Sequence, residues 1–319
     1  MRRSDFDYAR GIAMILIIIG HAIGMSEFVV QIIYSFHVPL FFIISGMLMY
    51  YTNTVQKPWG YIINSWKKHL IIPTMFWEII LSIFYFIAKD ISLGQLIRNS
   101  ITLNFNLTVL WFIPCLLLAE AIWILLIKAW RKEIPIYVIS AISIGFAIAA
   151  EIVTNLFIRR ILIATVFISF GYGIEQIKPK TGKFIMSNML SVACVILWLL
   201  SMLWNTKVDL SAGVLGNTIL YYTHSLAGST IVIGICGWLP KIFGVLGWIG
   251  RNTMGFLVTH VFIRHAIIIT EQALLGYYLD GWYLAVPMIL FDMLIVWVIK
   301  RFAPELFGEK RLEKRGRQK

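Results

Sequence analysis

Arg10 and His21 are the residues whose types and spacing most directly imply chemistry. An interval of eleven residues is about three helical turns, so on one helix the two side chains face within roughly 20° of each other. At 1.5 Å per residue they lie about 16 Å apart along the axis. A neutral imidazole accepts a proton from a hydroxyl near pH 7, and a guanidinium grips a phosphate through parallel N–H donors. Aligned on one face, the pair fits a long ligand with an anionic head at Arg10 and a thioester tip near His21. Coenzyme A has that form.

Further ionisable side chains fall inside apolar stretches: His37, Glu78, Glu120, Glu151, His224, His260, Arg264, His265 and Asp292. Such groups are costly in lipid and either carry function or pair to lock helices together. His260 sits about 12 Å into its segment by residue count, close to the depth of His21, and suits donor or acceptor binding as well as a helix-locking bond. Glu78, Glu120 and Asp292 lie at similar mid-depth, and residue counting does not choose which would hold the second nitrogen of His21. Glu120 is taken with His21 and His260 as the catalytic set. Lys67, Lys68 and Arg251 fall at the same helix ends as Arg10 and suit a cationic cradle for phosphates, or ordinary membrane anchoring. His37, just before Pro39, is expected nearer the opposite face, with Ser45, Trp111 and Asn252 as the other acceptor-side residues. Ser45 has no base beside it in sequence; an acetyl-histidine intermediate stands as the alternative to direct transfer.

The elements that position these residues follow from composition. Of 319 residues 59% are hydrophobic and 14% charged, against roughly 45–50% and about 25% in soluble domains. That balance excludes a soluble enzyme, a disordered chain and a disulfide-stapled module, and it implies an all-α, polytopic membrane bundle. Ten apolar runs are long enough to be helices, centred on Gly11–Met25, Ile32–Tyr51, Leu70–Ile87, Thr108–Ile127, Ile134–Val153, Ile161–Ile174, Leu190–Trp204, Ile219–Leu239, Asn252–Thr270 and Trp282–Ile299. The stretch Asp209–Leu239 also has room for a re-entrant piece. With both termini in the cytoplasm, 22 of the 28 basic residues fall inside and five outside, with Arg264 within a span. This is the positive-inside pattern, expected of an inner-membrane protein. It accounts for the net charge of +12 without nucleic acid. Residues 1–303 form one transmembrane domain, and 304–319 a basic cytoplasmic tail that can rest on membrane lipids. Cys115, Cys194 and Cys236 lie in apolar runs without metal-ligand or disulfide spacing and read as small buried side chains.

The motifs carry a resemblance. Asp7-Tyr8-Ala9-Arg10 with Gly20-His21, then Phe36-His37-Val38-Pro39-Leu40-Phe41-Phe42-Ile43-Ile44-Ser45-Gly46, resembles acyltransferase family 3. Trp111-Phe112-Ile113-Pro114 and Gly250-Arg251-Asn252-Thr253-Met254 with His260 extend the likeness nearly end to end, and it is nearest to the fucose 4-O-acetylase-like branch. The resemblance implies ten helices, acetyl-CoA or another acyl-CoA as donor substrate without a tightly bound cofactor, and O-acylation of a cell-surface glycan or lipid-linked sugar. Lys67-Lys68-His69 stands where many members carry Arg-x-x-Arg. The competing reading is a transporter or flippase with a protonatable pathway, which leaves the Arg10–His21 register unexplained.

Overall fold

The computed structural model describes residues 3–88, 92–95, 97, 109–130, 133–177, 188–239 and 244–309. The helices are α1 (Ser4–Gly20), α2 (Glu27–Tyr51), α3 (Trp59–Ile87), α4 (Phe112–Trp130), α5 (Ile136–Ile152), α6 (Leu156–Ile177), α7 (Asn188–Trp204), α8 (Thr218–Trp238), α9 (Gly244–Arg251), α10 (Thr253–Leu275) and α11 (Trp282–Phe302). Among the described residues, seven of these are long and apolar enough to cross a membrane: α2, α3, α4 with its preceding turn Val109–Trp111, α6, α8, α10 and α11. The helices α5 and α7 are apolar but have only 17 residues each, and α1, also of 17 residues, carries Asp5, Asp7 and Arg10.

Several boundaries differ from the sequence expectation. The first helix begins at Ser4 and stops at Gly20, so His21 caps its end instead of lying mid-helix. The chain reverses there: Gly24 takes φ 75°, and Ser26 caps α2 by accepting from the Val29 amide at 3.4 Å. The third helix starts eleven residues earlier than its apolar run and passes through a π-helical turn at Lys67–Ile71. The stretch from Asp209 holds a tight turn and then the unbroken α8, with no re-entrant piece among the described residues. The final turn Pro304–Phe307 packs on α3: Phe307 stacks on Trp77 at 6.0 Å, and the Trp77 indole donates to the Leu306 carbonyl at 2.9 Å. The rest of the expected tail, 310–319, lies outside the described residues, as do Lys132 and Lys183, two of the 22 basic residues counted as inside, and Lys89, one of the five counted as outside.

Apart from the short α9, which runs antiparallel to α1 with Leu246 against Gly11 and Gly250 against Asp7, successive helices alternate in direction, which sorts the connections to two ends. At one end Arg3 pairs with Glu175 at 2.9 Å and with Asp5, Tyr50 donates to Glu133, and Gln176 donates to the Ile134 carbonyl. At the other, Gln31 donates to the Met202 and Asn205 carbonyls, and the Gly281 amide to Ile23.

Two local features fix α2, the central helix. Pro39 has no N–H, so the Ser35 carbonyl loses its helical partner. The Ser225 hydroxyl and the His224 Nδ1–H of α8 donate to that oxygen instead, at 2.6 and 3.1 Å. His224 is thereby a structural residue, and its Nε2 accepts from Asn205 at 3.0 Å. Farther along, α2 crosses α6 backbone to backbone. A Cβ on Gly46 would lie 1.9 Å from the Ile168 carbonyl oxygen, and one on Gly171 would lie 2.0 Å from that of Ile43. Only glycine permits this approach.

Candidate active site

The residues that open into the bundle recur at helical spacing. On α1 and its C-terminal cap they are Arg10, Met14, Ile17 and His21; on α2, running the opposite way, Tyr34, His37, Phe41 and Ser45. The turn before α4 adds Trp111, α4 itself adds Phe112 and Glu120, and α10 adds Met254 and Leu257. These stripes enclose two chambers. One, of about 230 Å³, holds Arg10, Ser45 and Glu120. The other, of about 80 Å³, holds His21, His37, Tyr34, Trp111 and Asp209. Ile17, Phe41, Phe112 and Leu257 line both, so the chambers meet at an apolar neck.

His21 stands at the narrow chamber with its Nδ1 2.8 Å from the Ile17 carbonyl oxygen. A neutral imidazole in that contact must carry its proton on Nδ1, which leaves the Nε2 lone pair as the basic atom. The group that orients His21 is thus a backbone carbonyl, not one of the carboxylates expected for that task. Arg264 reaches the His21 carbonyl at 3.4 Å and steadies the same turn. The fully buried His260 packs edge to face on His21 with ring centroids 4.9 Å apart. Its Nδ1 meets the Phe256 carbonyl at 2.9 Å, and its Nε2 has no hydrogen-bond partner among the described residues. His37 repeats the pattern, with Nδ1 2.7 Å from the Ile33 carbonyl oxygen.

The other expected carboxylates fall elsewhere. Glu120 lines the Arg10 chamber and accepts from the Ser45 hydroxyl and from the Trp66 indole at 2.8 Å. Ser45 therefore has a carboxylate neighbour that its sequence context did not reveal. Asp292 accepts from the Thr259 hydroxyl within the α10–α11 contact, and Glu151 is exposed, paired with Arg159 at 3.1 Å.

The expected cationic cradle is dispersed. Lys67, exposed, and Lys68, half-buried, belong to the π turn whose Leu70 lines the Arg10 chamber, but neither lysine lines it. Arg251 ends α9 and reaches Asp7 at 3.8 Å. Asn252 also lies outside both chambers' linings: its side chain donates to the Trp248 carbonyl at 2.6 Å and accepts from Lys300, so both polar atoms serve the α9–α10–α11 junction.

The profile of the acyltransferase domain matches residues 3–301. The chain belongs to acyltransferase family 3. No curated protein and no solved structure matches it. With its apolar helices, the match makes the protein a multi-pass membrane acyltransferase rather than a transporter.

Sequence reading missed Asp209 and Tyr34 of this acyltransferase. Tyr34 was detectable, because it lies three residues before His37 on the face that leads to Phe41 and Ser45. Asp209 was not, since a turn distant in sequence delivers it to the chamber. Arg160, in the first turns of α6, is buried, its guanidinium 4.6 Å above the Trp111 ring.

Proposed function

We propose that the acyltransferase transfers an acetyl or similar short acyl group from cytoplasmic acyl-CoA to a hydroxyl of a cell-surface glycan or related sugar acceptor. One observation carries the reading: Arg10 and His21, on one face of α1, serve separate chambers that meet at the Ile17 neck. The donor's phosphates bind Arg10 at the cytoplasmic end, with Lys67 and Lys68 adding positive potential at the entrance. Its pantetheine arm passes Glu120 and Ser45 and brings the thioester through the neck, over the span of about 16 Å that separates Arg10 from His21 by helix rise. The positive-inside charge distribution supports this orientation in the inner membrane, with both termini cytoplasmic.

In the narrow chamber, His21 Nε2 takes the proton of the acceptor hydroxyl as its oxygen attacks the thioester carbonyl. The resulting imidazolium keeps its Nδ1–H on the Ile17 carbonyl. Collapse of the tetrahedral intermediate breaks the C–S bond, and the His21 proton passes to the departing thiolate, giving ester and free CoA. His260 positions the His21 ring through their edge-to-face contact. This direct transfer needs no covalent enzyme intermediate.

The test uses purified His21→Gln with radiolabelled acetyl-CoA. General acid–base catalysis is worth about 10² to 10⁴ in rate, so turnover is expected to fall by that order. Acetyl-CoA should still raise the thermal midpoint, as any ligand of the folded state does, because Arg10 is untouched. Retention of more than about a tenth of wild-type turnover would falsify the general-base role. A wild-type protein that acetyl-CoA neither stabilises nor acylates overturns the donor assignment.

A further inference from the structure

We propose that Asp209 binds the sugar acceptor, and that the His21 chamber selects uncharged polyols over anionic sugars. The proposal rests on the acyl-transfer reading above and concerns the other substrate.

The turn that carries Asp209 is built to hold it still. Asp209 and Val214 exchange backbone hydrogen bonds at 2.7 and 2.8 Å. From α6, Arg159 donates to the Gly213 carbonyl at 3.0 Å and Arg160 to the Leu210 carbonyl at 3.3 Å. Asn205, buried at the base of the turn, accepts from the Thr206 and Asn217 amides and donates to the Leu215 carbonyl. Within the turn, Asp209 Oδ1 accepts from the Ser211 amide at 2.9 Å, its hydroxyl at 2.6 Å and the Ala212 amide at 3.3 Å. Among the described residues all three bonds to the Asp209 carboxylate land on one oxygen, which leaves Oδ2 for a ligand.

The chemistry of the lining identifies that ligand. Asp209 is the only carboxylate among the described residues that line this chamber. His21 and His37 both commit Nδ1–H to backbone carbonyls and present Nε2 as an acceptor. Tyr34 directs its hydroxyl to the Gly20 carbonyl at 3.3 Å. The polar side chains of Asp209, His21 and His37 therefore offer acceptors and ask for donors. A hydroxyl-rich molecule supplies donors; a carboxylate or phosphate supplies only further acceptors beside a fixed negative charge. The Trp111 ring, held flat by Arg160 at 4.6 Å, adds an aromatic wall for the apolar face of a sugar ring.

Asp209→Asn tests this directly. Asparagine keeps an Oδ1 to accept the turn's three bonds and converts Oδ2 into a donor. The probes are methyl glycosides of neutral hexoses and their matched uronates, with radiolabelled acetyl-CoA and purified protein in detergent. Wild type is expected to acylate the neutral glycosides at least about ten-fold more efficiently than the uronates, the scale of one charged hydrogen bond. Asp209→Asn should raise the neutral-glycoside KM about ten-fold or more, change kcat less, and shrink that discrimination. Ser211→Ala, which disturbs the same turn but keeps Oδ2, should shift KM far less. The proposal is overturned by an unchanged KM in Asp209→Asn, by equal shifts in the two variants, or by wild-type acylation of uronates as readily as hexoses. It is also overturned if wild type releases CoA from acetyl-CoA yet acylates no neutral glycoside. Absence of CoA release from wild type points instead to failure of the donor assignment.

Discussion

The α2–α6 crossing links packing to catalysis, and Gly46→Ala measures the link. The new Cβ would sit 1.9 Å from the Ile168 carbonyl oxygen, whereas ordinary contact begins at 3.4 Å. Backbone atoms cannot rotate away, so the helices must part by about 1.5 Å at this point, the difference between those two distances. Overpacking of this kind costs about 1–3 kcal/mol, which should lower the thermal midpoint by several degrees. Ser45 precedes Gly46 and holds the Glu120 carboxylate in the Arg10 chamber, and Phe41 of the neck lies on the same helix face. A displacement of about 1 Å near a reacting group can cost on the order of 10² in rate. Gly46→Ala should therefore lose both stability and acetyl transfer, measured by thermal unfolding in detergent and by radiolabelled acetyl-CoA turnover. Gly60→Ala is the control, because a Cβ there meets nothing within 4 Å. If Gly46→Ala matches Gly60→Ala in both assays, the crossing is not the tight constraint described.

Two other outcomes are expected. Arg10→Ala should raise the acetyl-CoA KM or abolish turnover, and Arg10→Lys should recover only part of it, because the two-pronged guanidinium contact is lost; an unchanged acetyl-CoA affinity in Arg10→Ala refutes the phosphate assignment. In a cysteine-free background, a single cysteine at Lys207 should react with an impermeant thiol reagent added outside intact cells and one at Lys57 should not; the reverse pattern inverts the orientation.

Membrane spans were the most legible feature, because burial in lipid demands long apolar runs and the sequence supplies them. What escaped detection was amphipathic or short. The start of α3 carries Asn64, Lys67 and Lys68 among its aromatic residues, which lowers its hydropathy, and α9 has only eight residues. The early end of α1 was signalled by Gly20, Gly24 and Ser26, but an apolar run through Met25 outweighed them. At the site, Arg10 and His21 could be related because a single helix fixes their register. The partner of His21 could not be found by scanning side chains, since it is the Ile17 backbone. Asp209 depends on long-range packing of the α7–α8 turn, pinned by Arg159 and Arg160 of α6, and no local pattern encodes that.

If the protein sits in the inner membrane as proposed, the neck of Ile17, Phe41, Phe112 and Leu257 also bears on the energised membrane around it. An enzyme that joins substrates from opposite sides of a bilayer risks becoming a proton leak, and each charge crossing is worth about 2.3 kcal/mol per 100 mV. Hydrophobic constrictions block ions by excluding water, and Phe41 and Phe112, with ring centroids 5.8 Å apart, stand at this one. A slender, mostly uncharged pantetheine arm can enter where a hydrated ion cannot. On the proposed donor path, the four side chains that would admit the thioester would also act as an insulator, letting acyl groups leave the cell's interior while its ion gradients stay in place.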